Sequence, residues 1–480
     1  MSVNTSATPP TAHPRRWQSL GLLGLAQFIL ILDVTVVAIA LPHMGADLDL
    51  GRDALTWVVS AYTLTFGGLM LLGGRSADLF GPKPLVVAGL VVFTAASLVT
   101  GLATGAAMAI GGRIAQGIGA AMLSPAALSV VVRLFDGEER NRALGIWSAL
   151  GAGGAAIGVL LGGLLTSGPG WPWVFLVNVP VGIVVVIALQ RLLPPLPAWG
   201  ATGRLDLFGA LLVTATTGLL ILGFIEAGDR GWESGRTAVL VGAGIVGSVV
   251  LAGWLRRTRH PLIDPALVSR RPVLAGTFVL FIATALMVAV FFVGTFYLQG
   301  VAGHGPLTTG ALFLPVAVAT MAGAQIAGRL VGRLGARFLG VVGLLVAAAG
   351  LIVPAASLGT LTTVVAVSAG AAGLGALFVV ASVTALSQVE PHLAGVASGI
   401  LSTFHELGAS LGAAVMSGVA AASLVAGTSE GFERAYLVAA VIAVIAAVIT
   451  AGLVPGRPPA SPSPTTPASE SADTHEEVSS

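Results

Sequence analysis

Asp33 stands about 13 residues into an apolar run that begins near Leu20 and closes with Leu32-Asp33-Val34-Thr35-Val36-Val37-Ala38-Ile39-Ala40-Leu41-Pro42, a run of the length that crosses a bilayer as a helix. An ionised carboxylate at that depth costs at least ~2.5 kcal/mol on insertion scales. A helix serving only as an anchor would do better without it. Asp33 is therefore a candidate proton carrier, or a partner for a charged substrate, in a wet cavity that other helices must build. Arg113 is a second charge inside an apolar segment. At a rise of about 1.5 Å per residue, both lie roughly 12 Å below the same face, so an Asp33–Arg113 contact is allowed. A neighbouring arginine favours the carboxylate and desolvation favours the acid. Moving that arginine would swing Asp33 between releasing and holding a proton. The plainer reading is a fixed structural ion pair. His405-Glu406 form a third site near the middle of a late segment. Glu406 could bind a cation or a proton, and His405 could titrate near neutral pH. The alternative is a hydrogen-bonded pair that locks packing, and neighbours on a helix point about 100° apart and need not touch.

The chain must be mostly membrane helix. Its 480 residues are 55% hydrophobic and only 9% charged, with a net charge of +2. Mean hydropathy is +0.95. A soluble protein could not cover its surface with so few charges. The charge balance therefore does not point to nucleic acid. There are no cysteines, which excludes disulfides, thiolate nucleophiles and Cys-based metal sites. The single lysine, Lys83, sits in Gly-Pro-Lys-Pro rather than in a phosphate loop, so ATP hydrolysis by this chain is not expected. No enzyme chemistry, cofactor or metal is implied. A proton gradient is the expected energy source.

Apolar stretches of about 20 residues mark fourteen segments: roughly 19–41, 54–73, 84–103, 106–128, 143–165, 173–191, 206–226, 237–255, 274–298, 308–328, 339–358, 361–385, 394–422 and 433–453. With the N-terminus inside, eighteen of the 23 Lys and Arg fall in cytoplasmic stretches, four fall outside, and Arg113 lies within a segment. Both termini are then cytoplasmic. Residues 1–16 and 456–480, the latter rich in Pro, Ser and Thr, read as disordered ends. One repeat is visible. Gly74-x-x-x-Asp78-x-x-Gly81-x-Lys83 follows the second segment, and Gly328-x-x-x-Gly332-Arg333-x-Gly335-x-Arg337 follows the tenth. If segments seven and eight are an insert, residues 17–191 and 261–455 form two six-helix halves joined by 192–260, with substrate held near their junction.

At this point the chain resembles the major facilitator superfamily, in particular its fourteen-helix drug:proton antiporter branch. The likeness spans about 17–455. It rests on Leu32-Asp33-x-Thr35-Val36-Val37-x-x-Ala40-Leu41-Pro42, on Gly74-x-x-x-Asp78-x-x-Gly81-x-Lys83, on Arg113-x-x-Gln116-Gly117-x-Gly119, and on Gly145-x8-Gly154-x3-Gly158-x3-Gly162-Gly163. The chain departs from the family at Ala38 (usually Asn), Leu79 (usually Arg), Val159 (usually Pro) and His405-Glu406 (more often Arg-Gln). The resemblance implies an all-α integral membrane bundle of fourteen helices, two pseudo-symmetric six-helix halves plus two extra central helices, in a bacterial cytoplasmic membrane and monomeric. It implies proton-driven export of small amphipathic drugs or antibiotics. A proton-coupled importer or metabolite carrier on the same fold, and a non-transporting membrane sensor, remain as alternatives.

Further residues take roles in that scheme. Asp33, Arg113, Glu406 and His405 would couple protons. Gly74, Asp78, Gly81 and Lys83 would form a conformational gate, with Asp78 accepting hydrogen bonds from a helix N-terminus across the half-interface. The other reading of Lys83 is an ordinary positive-inside charge. Gly145, Gly154, Gly158, Gly162 and Gly163 would let a neighbouring backbone come close and seal against proton leak, or simply pack tightly. Trp57, Tyr62, Gln116, Phe291, Phe292, Tyr297 and Phe404 are candidates to line the substrate cavity, although such aromatics more often face lipid or other helices.

Overall fold

The structure is a computed structural model that describes residues 14–135, 157–196, 205–259, 265–386 and 394–456, with isolated positions between them. Among the described residues every long element is a helix. They are α1 (Arg16–Asp47), α2 (Arg52–Phe80), α3 (Pro82–Gly101), α4 (Ala106–Leu134), α5 (Ile157–Ser167), α6 (Pro172–Leu192), α7 (Leu207–Arg230) and α8 (Gly235–Arg257). Then follow α9 (Arg271–Phe296), α10 (Pro306–Leu334), α11 (Ala336–Ala356), α12 (Thr360–Leu386), α13 (Ala394–Val419) and α14 (Glu430–Leu453). Twelve are long and apolar enough to cross a membrane. The exceptions are α5, described only over its last part, and α13, whose apolar character is diluted by His405, Glu406 and its serines. In a bilayer each backbone must satisfy its own hydrogen bonds, which is why such a composition folds as helices throughout.

Of the two groups α1–α6 and α9–α14, helix α4 is held against α2 and α3 in the first and α12 against α10 and α11 in the second, while α13 packs both on α9 and, across the groups, on α2. Small residues permit the closest approaches. A Cβ on Gly73 of α2 would run into the Ala121 carbonyl of α4, and a Cβ on Gly323 of α10 would run into the Ala372 carbonyl of α12. The two turns identified as a repeat share one backbone conformation. Gly81 (φ 89°) ends α2 and Gly335 (φ 84°) ends α10, both in the left-handed region that favours glycine. Beyond each turn a cation reaches carbonyls at the end of another helix. Lys83 Nζ donates to Gln190 O (3.1 Å) and Leu193 O (2.5 Å) at the end of α6. Arg337 Nε donates to Val454 O (2.8 Å) at the end of α14. Cations at helix C-termini satisfy exposed carbonyls and the helix dipole.

The two helices between these groups differ from each other. Helix α8 packs chiefly on α7 and is 6% buried over its apolar window. Helix α7 lies against both α2 and α13, bridging the two groups rather than standing at the periphery with α8. Sequence could not separate them, because both are equally apolar and only tertiary contact distinguishes a lipid-facing helix from a bridging one.

Candidate functional site

Helix α1 carries Asp33 into the interior of the first group, where its side chain is fully buried. Arg113, on α4, donates to Asp33 through Nη1, an ion pair sealed from solvent on both sides. The sequence-based contact is present. The same guanidinium donates from Nε to Val58 O (2.8 Å) and from Nη1 to Gln116 Oε1 (3.0 Å). It also lies over the Tyr62 ring, 4.2 Å from the centroid. Gln116 Nε2 donates to Asp33 Oδ1 (3.2 Å) and to Ser97 Oγ (2.8 Å), and Asn178 Nδ2 reaches the same hydroxyl at 3.5 Å. Helices α1, α2, α3, α4 and α6 thus each contribute to one desolvated network. A buried pair is tolerated only when its remaining lone pairs and protons are satisfied in this way.

Gln116 and Tyr62 lie at the ion pair. Both are completely buried, Gln116 bridging the ion pair and Tyr62 stacked on Arg113. One turn separates Arg113 from Gln116 on α4, so the pair faces one way, and the side that faces the arginine must face Asp33 too. The other aromatics fall in two apolar clusters. Trp57 and Phe404 pack in the cluster joining α2, α7 and α13. Phe291, Phe292 and Tyr297 belong to the core of the second group, paired with Phe313, Phe296 and Phe432 respectively.

Glu406 lies at the junction of the two groups. Its backbone position on α13 faces Gly67 of α2, where an added Cβ would come within 2.6 Å of Glu406 Cβ. His405 Nδ1 meets Glu406 Oε1 at 3.0 Å, so these neighbours do touch, with the histidine more than a third exposed and the glutamate nearly buried. From there a polar seam runs along α2 and α13. Thr63 Oγ1 meets Ser410 Oγ at 2.5 Å, and Ser60 and Ser410 exchange hydroxyl-to-carbonyl bonds of 3.2 Å each. Thr56 Oγ1 and Ser417 Oγ meet at 2.5 Å. Buried Arg52 reaches Ser417 Oγ (3.4 Å) and the Ile225 carbonyl of α7 (3.0 Å). Sequence reading passed over this seam, although its spacing was available. Thr56, Ser60, Thr63 and Gly67 share one face of α2, and Glu406, Ser410 and Ser417 share one face of α13.

Other bonds close the same end. Gln299 Nε2, in the π-helical turn Tyr297–Val301 that finishes α9, donates to Ile39 O of α1 (2.9 Å). Leu307 N donates to Ser167 Oγ (3.0 Å). These cross-group bonds lie between the midplane and the end opposite the Gly81 and Gly335 turns. Ser410→Ala should loosen this closure. Hydrogen bonds between membrane helices average ~0.6 kcal/mol. Losing two should shift the open-to-closed ratio several-fold. The chain has no cysteine, so spin labels at Gly51→Cys and Glu430→Cys report the separation directly; an unchanged distance distribution would exclude a gating role for the seam.

The remaining sequence candidates fall as follows. Gly158 and Gly162 seat α5 on α1 beside Asp33: a Cβ on Gly158 would overlap Thr35 Oγ1, and one on Gly162 would stand 3.0 Å from Val36 Cα. Gly163 faces α10 instead, 2.8 Å from Pro306 O by the same construction. Gly145 and Gly154 lie outside the described residues. Gly74 packs near Pro125, Gly81 makes the turn, and Lys83 caps α6. Asp78 feels the charges of Arg75 and Arg133, and no bond joins it to α13 among the described residues.

A paired interior charge, repeated turns and two helix groups meeting along polar seams describe a multi-pass helical membrane bundle. The sequence profile of the Major Facilitator Superfamily matches residues 23–413, and the chain belongs to that family. It is 37% identical over 414 residues to the puromycin resistance protein pur8 of Streptomyces alboniger, covering 84% of this chain and 82% of that one. It is likewise 37% identical over 404 residues to the cephamycin export protein CmcT of Amycolatopsis lactamdurans, covering 82% of each. The multidrug resistance protein Stp of Mycobacterium tuberculosis (strain CDC 1551 / Oshkosh) is 33% identical over 405 residues, which cover 82% of this chain and 74% of that one. Among solved structures, an inward-facing, occupied bacterial homologue of the human lysosomal transporter Spinster superposes with a TM-score of 0.66 at 17% identity, covering 91% of this chain and 96% of that one. That likeness is one of fold.

Proposed function

We propose that this chain exports small amphipathic organic molecules, antibiotics among them, in exchange for protons. Support for the cargo comes from relatives named for puromycin resistance, cephamycin export and multidrug resistance. Support for the coupling comes from one observation, the sealed Asp33–Arg113 pair. In our reading, the protein has fourteen spans, 17–191 and 261–455 are the two moving halves, α7 and α8 lie between them, and the protein works as a monomer. Both termini lie in the bacterial cytoplasm, so the closed end faces outward.

In this state Asp33 is held by Arg113 and Gln116. When the outer seam opens, water reaches the pair, a proton neutralises Asp33, and the guanidinium loses its anionic partner. It retains the Val58 carbonyl and the Tyr62 face, both on α2. The change of charge is thereby turned into a change of the α1–α2–α4 packing. Gly158 and Gly162 carry that change from α1 to α5, and Gly163 carries it from α5 to α10 of the other half. Return to the inward state restores the pair and releases the proton inside. No cofactor takes part.

Proteoliposomes loaded with a lipophilic antibiotic test this reading. An imposed proton gradient should drive antibiotic movement against its own gradient, with protons moving the opposite way. Movement of both in the same direction would make the chain an importer. Glu406 serves cationic cargo in this scheme. Glu406→Gln should lower transport of monocationic substrates about tenfold, the loss of one partly buried charge contact worth ~1.4 kcal/mol, and leave neutral ones within twofold. Equal losses for both would assign Glu406 and His405 to packing.

A further inference from the structure

Three sides of α13 are taken up by neighbouring helices. Side chains turn about 100° per residue, so Glu406, Ser410 and Ser417 meet α2, while Leu407 and Leu411 pack with Val213 and Ile221 of α7. Gly408 and Gly412 back onto Phe281 and Ala285 of α9. The fourth side points away from α7, into the bundle between α2 and α9, and it changes character along its length. Ser398, Ser402 and His405, on the half nearer the Gly335 turn, are all partly exposed. Ala409, Ala413 and Met416, toward the closed end, are buried. His405 therefore stands where an open polar strip meets the closure.

The imidazole is 38% exposed, lies 5.9 Å from the Phe378 ring of α12, and meets Glu406 Oε1 through Nδ1 at 3.0 Å. A pair that only locked helices together would bury both members; here the glutamate is enclosed and the histidine faces the strip. Successive residues ride on one helix, so rocking of the two groups leaves them neighbours. What alters their contact is the charge of the imidazole, the side chain type that ordinarily gains its proton between pH 5 and 8. On α2 the one ionisable side chain between Asp53 and Arg75 is Tyr62, which feels Glu406 together with Asp33 and Arg113. Residues 207–225 of α7, 272–296 of α9 and 360–386 of α12 include none, and Glu430, Glu433, Arg434 and Tyr436 of α14 sit toward the closed end.

We propose that His405 sets the charge of the cargo accepted at Glu406. As a neutral imidazole it leaves the carboxylate to an organic cation arriving along the Ser398–Ser402 strip, with the Phe378 ring as an apolar wall that also attracts positive charge. As imidazolium it takes the carboxylate itself, and the same place then accepts uncharged molecules. Imidazolium and cationic cargo are alternative partners of one carboxylate, so each weakens the hold of the other by the same factor. The inference rests on the reading of Glu406 as the cation contact and adds to it a selectivity that moves with pH.

Equilibrium binding to the full-length protein in detergent tests this with two probes. Tetraphenylphosphonium carries a charge that pH does not change, and triphenylphosphine oxide is a neutral analogue. For the parent, affinity for the cation should rise at least about fivefold from pH 5 to pH 8, while affinity for the neutral probe stays within about twofold. His405→Gln, with no proton to exchange, should bind the cation throughout as the parent does at the alkaline end. His405→Arg places a permanent cation beside Glu406 and should bind it throughout no better than the parent does at the acid end. Unchanged Tm and unchanged binding of the neutral probe identify the folded variants, and either variant decides without the other. A rise that survives in His405→Gln belongs to a carboxylate, Glu406 or Asp33, and overturns the proposal. Loss of cation binding at every pH in that variant overturns it too, as does a parent whose cation affinity is level or absent. Binding needs no gradient. Failure of gradient-driven exchange with this pH-dependent binding intact would sink the antiport reading alone, and level binding in a chain that still exchanges drug for protons would sink this inference alone.

Discussion

Asp33→Asn should abolish the proposed proton-driven efflux while the protein still folds and inserts. Asparagine has the same shape as aspartate and offers an oxygen to Arg113 and a donor in place of one acceptor, so the packing around α1 is kept. In the proposed scheme Asp33 is the group that changes charge, and without it opening of the outer seam should deliver no proton to the Arg113 network. In proteoliposomes, uphill antibiotic movement should fall to the rate seen with no gradient. Downhill exchange of antibiotic across the membrane should persist, because it needs alternating access but no proton. Full gradient-driven efflux by this variant would remove Asp33 from the coupling step and leave it a structural ion pair.

Arg113→Met has the second large effect, and it acts first on stability. Removing the guanidinium leaves Asp33 buried with no cation and takes a donor from the Val58 and Gln116 oxygens. Breaking a buried pair by deleting one partner typically costs about 3–5 kcal/mol, because the remaining charge is uncompensated. The single variant should therefore melt well below the parent in detergent. Combining it with Asp33→Asn removes the stranded charge, so most of the lost Tm should return while gradient-driven transport stays absent. A double variant that melts as low as the single one would mean that Arg113 matters through its stacking on Tyr62 and not through the ion pair.

Particular residues show where sequence reading held and where it ran out. Asp33 and Arg113 were legible because a charge inside an apolar run is expensive wherever the helix ends up, and because depth along a helix follows from counting residues. Gly81 and Gly335 were legible as a repeat, and the shared left-handed turn bears that out. The contacts of Gln116 and Tyr62 with the ion pair were not legible, because a polar or aromatic side chain on a membrane helix can face a cavity or a neighbouring charge, and the sequence of one helix does not say which. The seam of Thr56, Ser60, Thr63, Ser410 and Ser417 was overlooked for a related reason. Hydroxyl residues satisfy their own backbone carbonyls in any membrane helix, as Thr56 does with Arg52 O, so their types alone do not announce a partner.

By itself, the sequence determined that the chain is a bundle of membrane helices, how its charges divide between the two ends, where the turns repeat and which buried charges had to find partners. These follow from the solvent properties of the bilayer, which act on each segment separately. Tertiary structure decided that Gln116 completes the ion pair, that α7 bridges the groups while α8 packs chiefly on α7, and that hydroxyl pairs join α2 to α13. Those depend on which faces of different helices meet, and that choice belongs to packing among helices far apart in the chain.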